Sequence, residues 1–269
     1  MPQWKTQTDD KRGLTVLRPD DSFRFACHHG LDCFTRCCRD ITIFLTPYDI
    51  IRMKNALDMS SEDFLESYTV YLISDTSGLP VVTLKMNDDE ERSCPFVTPE
   101  GCTIYQDRPW SCRMYPLQPE STKITESKGR EYYSLMDVPF CQGLAEDRVC
   151  TVRDWLAEQG VPIYLEMEGA FKKITMNPSL AAQKITNPRL QEMFYMACYD
   201  IDRFRRFVFE SKFLQTFDID QETLEKIKSD DVELFKFAMR WLEYGLIGQH
   251  MLKVKPEVME AKKEDLGIT

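Results

Sequence analysis

Cysteine usage is the feature that most constrains this chain. The ten cysteines lie at positions 27, 33, 37, 38, 94, 102, 112, 141, 150 and 198, so nine of them precede residue 151. The first residues, Met1 to Gly13, lack the apolar segment that follows a basic start in a secretory signal. Without such a signal, this density of cysteines is typical of metal ligation or redox chemistry inside the cell. We therefore expect a cytoplasmic metal-binding protein.

The cysteines fall into two groups. The first has the pattern C-x5-C-x3-C-C and comprises Cys27, Cys33, Cys37 and Cys38, and the second comprises Cys94, Cys102 and Cys112, with Cys141 further along the chain. Four thiolates satisfy a tetrahedral zinc ion or hold an iron–sulfur cluster. Eight thiolates therefore predict up to two sites. Successive side chains of an extended chain point to opposite sides, so the adjacent Cys37 and Cys38 either serve different metals or include only one ligand.

Other interpretations of these residues stay open at this point. Single members of the set could be ordinary buried thiols, and a vicinal disulfide could join Cys37 and Cys38. His28 or His29 could replace a thiolate in a zinc site. Cys150 and Cys198 lack clustered neighbours in the sequence, and we interpret them as structural.

The second group is flanked by residues that suit an anionic metal centre. Pro109 is favourable in the first turn of a short helix, which places Cys112 near a helix N-terminus, where the dipole favours the thiolate. Arg108 and Arg113 are predicted to bind near the cofactor and to offset the negative charge that four thiolates leave on it. Surface ion pairs are the alternative role for both arginines.

These motifs resemble the YkgJ-type cysteine-cluster family, which is described as zinc- or iron-chelating. The resemblance rests on Cys27 to Cys38, Cys94-Pro95-Phe96, Cys102-Thr103-Ile104-Tyr105, Arg108-Pro109, Cys112-Arg113-Met114-Tyr115-Pro116 and Cys141, and on Thr151 to Leu156. The usual first motif of the family is C-x2-C-x2-C-C, so this chain departs from it at Cys27 and Cys33. The resemblance implies metal binding through the eight cysteines.

The nature of the metal and the existence of a reaction are separate questions. Zinc knuckles usually read C-x2-C or C-x4-C, and here the C-x2-C spacing is missing while C-x4-C occurs only as Cys33 to Cys38, across the vicinal pair. The thiolate-rich, histidine-poor donor set slightly favours an iron–sulfur cluster over zinc. The related flagellin lysine methylases share a similar cysteine motif, which raises an S-adenosylmethionine-dependent protein lysine methylase as an alternative. The Gly-rich turn after a strand that such enzymes usually carry is missing. A zinc-stabilised interaction module is a further alternative, and enzyme status stays open.

The pattern of the chain predicts an α+β protein. Residues 1–150 are expected to form an irregular cysteine-cluster metal-binding domain with a small sheet, and residues 151–269 a mostly helical domain or subdomain. Helices are predicted after Thr46, over residues 60–72, after Thr151, and over 163–174, 220–228 and 232–246. Residues 188–217 are predicted to form a long helix, either continuous or broken. A strand is predicted over residues 81–86, a hairpin over 121–135, and a frayed tail from Lys253.

Charge and hydropathy limit the partners. The net charge of −10 makes nucleic acid an unlikely partner, and the basic run of Arg203, Arg205 and Arg206 is more typical of a solvated helix face. No apolar run reaches the roughly 20 residues that a membrane span needs. A protein partner or a redox partner is therefore expected.

Overall fold

The computed structural model describes residues 16–120, 131–136, 138–178, 180, 184–248 and 252–258. Its α-helices are α1 (Pro47–Ala56), α2 (Ser61–Tyr68), α3 (Trp110–Met114), α4 (Val152–Glu158), α5 (Val161–Thr175), α6 (Pro188–Cys198), α7 (Ile201–Glu210), α8 (Phe213–Thr216), α9 (Gln221–Ser229) and α10 (Asp231–Leu242). Its strands are β1 (Val16–Leu17), β2 (Ser22–Arg24), β3 (Phe44–Leu45), β4 (Thr69–Ile73), β5 (Pro80–Leu84), β6 (Val97–Thr98), β7 (Gly101–Cys102), β8 (Leu117–Pro119), β9 (Tyr133–Leu135), β10 (Val149–Thr151), β11 (Phe217–Asp218) and β12 (Lys253–Val254). Helices and small sheets are mixed, so the α+β prediction is confirmed.

Local capping chemistry sets several helix ends as the sequence predicts. The Thr46 hydroxyl accepts the Asp49 N–H at 3.2 Å while Asp49 Oδ2 accepts the Thr46 N–H at 2.7 Å, which is a complete capping box for α1. The Thr151 hydroxyl accepts the Asp154 N–H at 3.1 Å and starts α4. Gly160 ends that segment with a positive φ of 65°.

Two predicted elements differ from the structure. The helix predicted over residues 60–72 ends at Tyr68, because the β-branched and aromatic residues of Thr69–Ile73 pair instead with β5 as strand β4. The helix predicted over residues 188–217, as either continuous or broken, is broken into α6, α7 and α8, with the side chain of Asp200 capping α7. The tail does not fray at Lys253, since Lys253–Val254 pairs with Phe217–Asp218. The turn of the predicted hairpin lies outside the described residues.

The first of two compact units contains the described residues of 1–41 and 86–164. Its strands form three small antiparallel sheets, ordered β1-β9-β8, β10-β2 and β6-β7. An apolar core fills the unit around Phe23, Phe25, Leu117 and Trp155. The rings of Phe23 and Phe25 each meet the Trp155 ring edge to face. All eight predicted cysteine ligands belong to this unit.

The second unit contains residues 42–85 and the described residues of 165–269. A three-stranded antiparallel sheet with the order β3-β5-β4 lies in this unit with most of the helices. Its core contains fully buried rings of Phe64, Phe194, Phe204, Phe235 and Phe237. None of the helices in the described ranges is long and apolar enough to cross a membrane.

Candidate metal centre

The first place where cysteines converge is beside strand β2. Cys27 lies three residues after the end of β2. The Ala26 N–H donates to the Gly143 carbonyl at 3.1 Å, so the segment after Cys141 lies next to the segment that carries Cys27. The Gln142 N–H donates to Cys33 Sγ at 3.3 Å. Cys27, Cys33 and Cys141 therefore lie together although more than 100 residues of sequence separate Cys33 from Gln142.

A glycine makes this approach possible. A Cβ added at Gly143 would lie 2.5 Å from the Ala26 carbonyl oxygen and 2.8 Å from the ring of Phe25. Backbone atoms cannot yield to such an overlap as a flexible side chain can. Gly143 is thus required for the segment carrying Cys141 to pack against the segment carrying Cys27.

The second convergence lies around Cys94. The Cys94 N–H donates to the Cys38 carbonyl at 2.8 Å, beside an antiparallel bridge between Arg39 and Ser93. Cys102 lies on β7 directly opposite Val97 of β6, so the short hairpin folds Cys102 back toward Cys94. Cys112 lies in α3 and is an electrostatic neighbour of Cys38.

Backbone donors surround these sulfurs. The N–H groups of Phe96 and Val97 donate to Cys94, and the N–H of Ile104 donates to Cys102. Hydrogen bonds of this kind stabilise the charged form of a thiol. Burial raises the pKa of Cys94 and Cys102, and the hydrogen bonds from the short turns that follow them partly oppose that rise in favour of the thiolate, which is the form that binds metal.

Cys37 and Cys38 link the two convergences. They lie in a 3-10 turn, Arg36–Cys38, and the Cys38 thiol donates to Cys37. That hydrogen bond lowers the pKa of Cys37 to about 7, with a smaller contribution from Arg39. Cys37 is a neighbour of Cys27 and also of Cys94, and Cys38 is a neighbour of Cys94 and Cys112. The ten cysteines are free thiols in the structure.

The donor set fits a cation. Burial raises the pKa of Cys27 to about 11, and the nearby thiolates of Cys37, Cys33 and Cys141 contribute to the rise. Burial also raises the pKa of Cys94 and Cys102, and Cys94 is further raised by Cys102 and Cys37. Thiolates that repel one another in a partly buried site need positive charge to ionise together, which a metal would supply.

The side chains are not yet arranged as a coordination sphere. Within the described ranges, no group of three or more cysteine, histidine, aspartate or glutamate side chains has the geometry to hold a metal ion. The backbone contacts bring the cysteines into one region, and the ligand set of eight stays a prediction.

The two arginines hold the polypeptide around the second convergence. Arg113 is buried and donates from Nε to the Arg108 carbonyl at 2.9 Å, from Nη1 to the Gln159 carbonyl at 2.7 Å and from Nη2 to the Gln106 carbonyl. Arg108 donates to the Tyr105 carbonyl at 2.5 Å and also to Gln159. Burial lowers the pKa of Arg108, and the thiolates of Cys112 and Cys102 oppose that shift, so its charge lies near the second group.

Sequence reasoning missed Tyr115. Burial raises the pKa of this phenol, and the nearby Cys141, Cys37 and Cys33 raise it further. Its buried hydroxyl has no hydrogen-bond partner among the described residues, so a neutral donor lies beside the first group of cysteines. A tyrosine three residues after Cys112 carries no periodic signal of such a role, because the contact joins segments far apart in sequence.

The remaining candidates occupy ordinary environments. His28 Nε2 lies 3.2 Å from Glu146 Oε2, and the His29 ring lies 4.3 Å from the Phe34 ring. Cys150 lies opposite Phe23 in the β10-β2 pair. Cys198 is 2% exposed at the end of α6 in the second unit, which does not contain the other cysteines.

Comparison with known proteins gives one match. Residues 26–138 match the family model CxxCxxCC, described as a putative zinc- or iron-chelating domain. The resemblance predicted from the cysteine motifs is thereby confirmed over this range, which supports metal binding without distinguishing iron from zinc. Neither a curated protein nor a solved structure matches the chain.

Proposed function

From the match of residues 26–138 to the zinc- or iron-chelating domain family, we propose that this protein binds metal through eight cysteines in two groups of four. The first group is Cys27, Cys33, Cys37 and Cys141, and the second is Cys38, Cys94, Cys102 and Cys112. The single observation that carries this division is that the Cys38 carbonyl accepts the Cys94 N–H at 2.8 Å, which places Cys38 with the second group and leaves Cys37 to the first. A vicinal pair then supplies one ligand to each site.

An iron–sulfur cluster is the preferred occupant, because the donor set is all thiolate and the nearest histidines already have contacts to Glu146 and Phe34. When bound, such a cluster supplies one-electron redox chemistry, whereas zinc supplies structural stability. The N–H of Gln142 donates to Cys33 of the first group, the neutral Tyr115 hydroxyl lies near Cys141, and Arg108 places positive charge near the second group. The residues of the protein thus stabilise thiolates at both sites.

Metal analysis of variants tests the proposal. Anaerobically purified protein is assayed for zinc, iron and acid-labile sulfide, and a visible spectrum is recorded. Cys33→Ser and Cys112→Ser are each expected to lose about half of the bound metal, since each removes a thiolate from one four-ligand site. Cys150→Ser is the matched control in the same unit and should keep the metal content of the original protein.

Different outcomes have different meanings. Iron with matching sulfide and a brown charge-transfer band supports the cluster, and stoichiometric zinc in a colourless protein supports a structural site. Loss of all metal from either variant would contradict the two-site division. Full metal content in both variants, or no metal in the original protein, would contradict metal binding by these cysteines.

A further inference from the structure

Strand β4 in the second unit has an open edge. In the described part of the chain the sheet has the order β3-β5-β4, so β4 pairs on one side only. The Lys85 N–H donates to the Tyr68 carbonyl at 2.8 Å and the Ser74 N–H to the Leu79 carbonyl at 2.9 Å. Because alternate residues of an antiparallel strand face their partner, these bonds turn the backbone N–H and C=O groups of Thr69, Tyr71 and Ile73 away from β5.

The residues of this edge are unusual for a solvent-facing strand. Val70, Tyr71, Leu72 and Ile73 are 42%, 47%, 48% and 39% exposed. The strand sequence TVYLI contains no charge, proline or glycine, the features by which proteins normally protect an edge from pairing. Phe44 of β3 is 61% exposed and lies in the same cross-strand row as Val70, through Thr83 of β5.

An acidic pocket adjoins the same edge. It has a volume of about 290 Å³ and is lined by Glu62, Leu65, Glu66, Thr69, Tyr71, Tyr195 and Asp200. Glu62 pairs with Arg206 at 2.6 Å, and Asp200 accepts the Ser61 hydroxyl at 2.7 Å and the Arg203 N–H as the cap of α7, so Glu66 provides the excess negative charge. The nearby Arg203 is engaged with Glu192 at 2.6 Å. The Tyr71 and Tyr195 rings, 5.1 Å apart at an interplanar angle of 81°, add aromatic surface that attracts cations.

We propose that β4 is a docking site for an extended segment of a partner protein, which adds as a strand to the edge and inserts a lysine or arginine side chain into the acidic pocket. Main-chain hydrogen bonds would form with Thr69, Tyr71 and Ile73. The side chains of Thr69 and Tyr71 face the pocket, so a partner residue on that face is the basic one. Neighbouring partner residues on the other face are apolar and lie beside Val70 and Leu72.

Charge argues against a second copy of this chain as the occupant. An antiparallel pairing of two β4 strands centred on Tyr71 would place Ser67 opposite Asp75 and bring both acidic pockets to the interface. The segment from Glu66 to Asp75 contains no basic residue to enter them. The net charge of −10 likewise favours a basic partner.

A displayed library of random decapeptides tests the proposal on the full-length protein. Peptides are selected on the original protein and counter-selected on Tyr71→Pro. This substitution removes an outward-facing N–H but spares the bonds between β4 and β5. The selected peptides should alternate apolar residues with one lysine or arginine at a fixed position. A fluorescein-labelled copy is then measured by fluorescence anisotropy.

The variants test the edge and the pocket. Tyr71→Pro removes an outward-facing N–H of the edge together with one ring of the pocket, and Glu66→Lys inverts the pocket charge alone, so each should weaken binding of the labelled peptide at least tenfold. Glu225→Lys, an equal charge change on the exposed face of α9, should leave affinity within about twofold, because a distant exposed charge acts weakly. Circular dichroism melts check that each variant folds. If Tyr71→Pro does not fold, the Glu66→Lys result still decides the test.

Three results would overturn the proposal. The first is that no selected peptide depends on both Tyr71 and Glu66. The second is that replacing the basic residue of the peptide with glutamate leaves binding unchanged. The third is a dimer in sedimentation velocity that Tyr71→Pro abolishes, which would assign the edge to a second copy.

Discussion

Lys54 is a buried cation whose removal tests how the second unit is stabilised. Its side chain is 7% exposed, and Nζ lies 3.0 Å from Asp231 Oδ2 and 3.4 Å from Asp202 Oδ2. Arg205 bridges the same two carboxylates at 2.9 Å to Asp202 and 2.5 Å to Asp231. Lys54→Met keeps an unbranched side chain of similar length but leaves two mostly buried carboxylates with one cation.

The structure sets the expected size of the effect. Removing one partner of a buried ion pair costs about 3–5 kcal/mol. Arg205 and the Asn55 amide, which donates to Asp231 at 3.1 Å, still hold this carboxylate, so we expect about 3 kcal/mol, at the lower end of the range. For a unit of this size the melting temperature then falls by about 6–12 °C.

Circular dichroism melts at neutral pH measure the change, together with a double-mutant cycle. Burial alone would raise the pKa of Asp231, but hydrogen bonds from Arg205 and Lys54 lower it below its usual range. The double variant of Lys54→Met with Asp231→Asn should therefore be less destabilised than the sum of the single variants, by at least about 1 kcal/mol. Lys226→Met, which removes an exposed pair with Glu222, should leave melting almost unchanged. Unchanged melting of Lys54→Met, or simple additivity, would refute the reasoning.

Other expected outcomes concern both units. Removal of metal by a chelator should lower the melting temperature and protease resistance of the first unit, and identical behaviour of both forms would contradict its dependence on metal. Gly143→Ala should lower metal content because its Cβ would lie 2.5 Å from the Ala26 carbonyl, whereas Gly169→Ala, with no atom within 4 Å, should retain the metal. Phe194→Ala, at a fully buried position, should cost about 3–5 kcal/mol in denaturant unfolding. Because the folded pKa of Asp231 is lowered, its stabilisation is present above about pH 4 and is lost as pH falls through the folded pKa, so Asp231→Asn should flatten the acid limb of a stability–pH curve.

Local signals in the sequence were sufficient for many elements. The capping residues Thr46 and Thr151 begin α1 and α4 as predicted, and Gly160 follows α4 with a positive φ. The prediction was wrong for Thr69–Ile73, where helical spacing of Tyr68, Tyr71 and Leu72 competed with strong β-propensity. Pairing with β5 decided between them, and a partner strand cannot be read from local periodicity.

The amino-acid sequence by itself indicated metal binding, since the type and clustering of its cysteines resemble a family whose model, described as a putative zinc- or iron-chelating domain, matches residues 26–138. Only the tertiary structure decided which cysteines lie near one another, that residues 42–85 pack with the C-terminal helices, and that Tyr115 and Gly143 support the centre. The physical reason is the distance along the chain between the residues that determine each feature. Ligand chemistry and helix caps depend on a few adjacent residues, whereas the approach of Cys141 to Cys33 and the open edge of β4 depend on contacts between segments far apart in the chain.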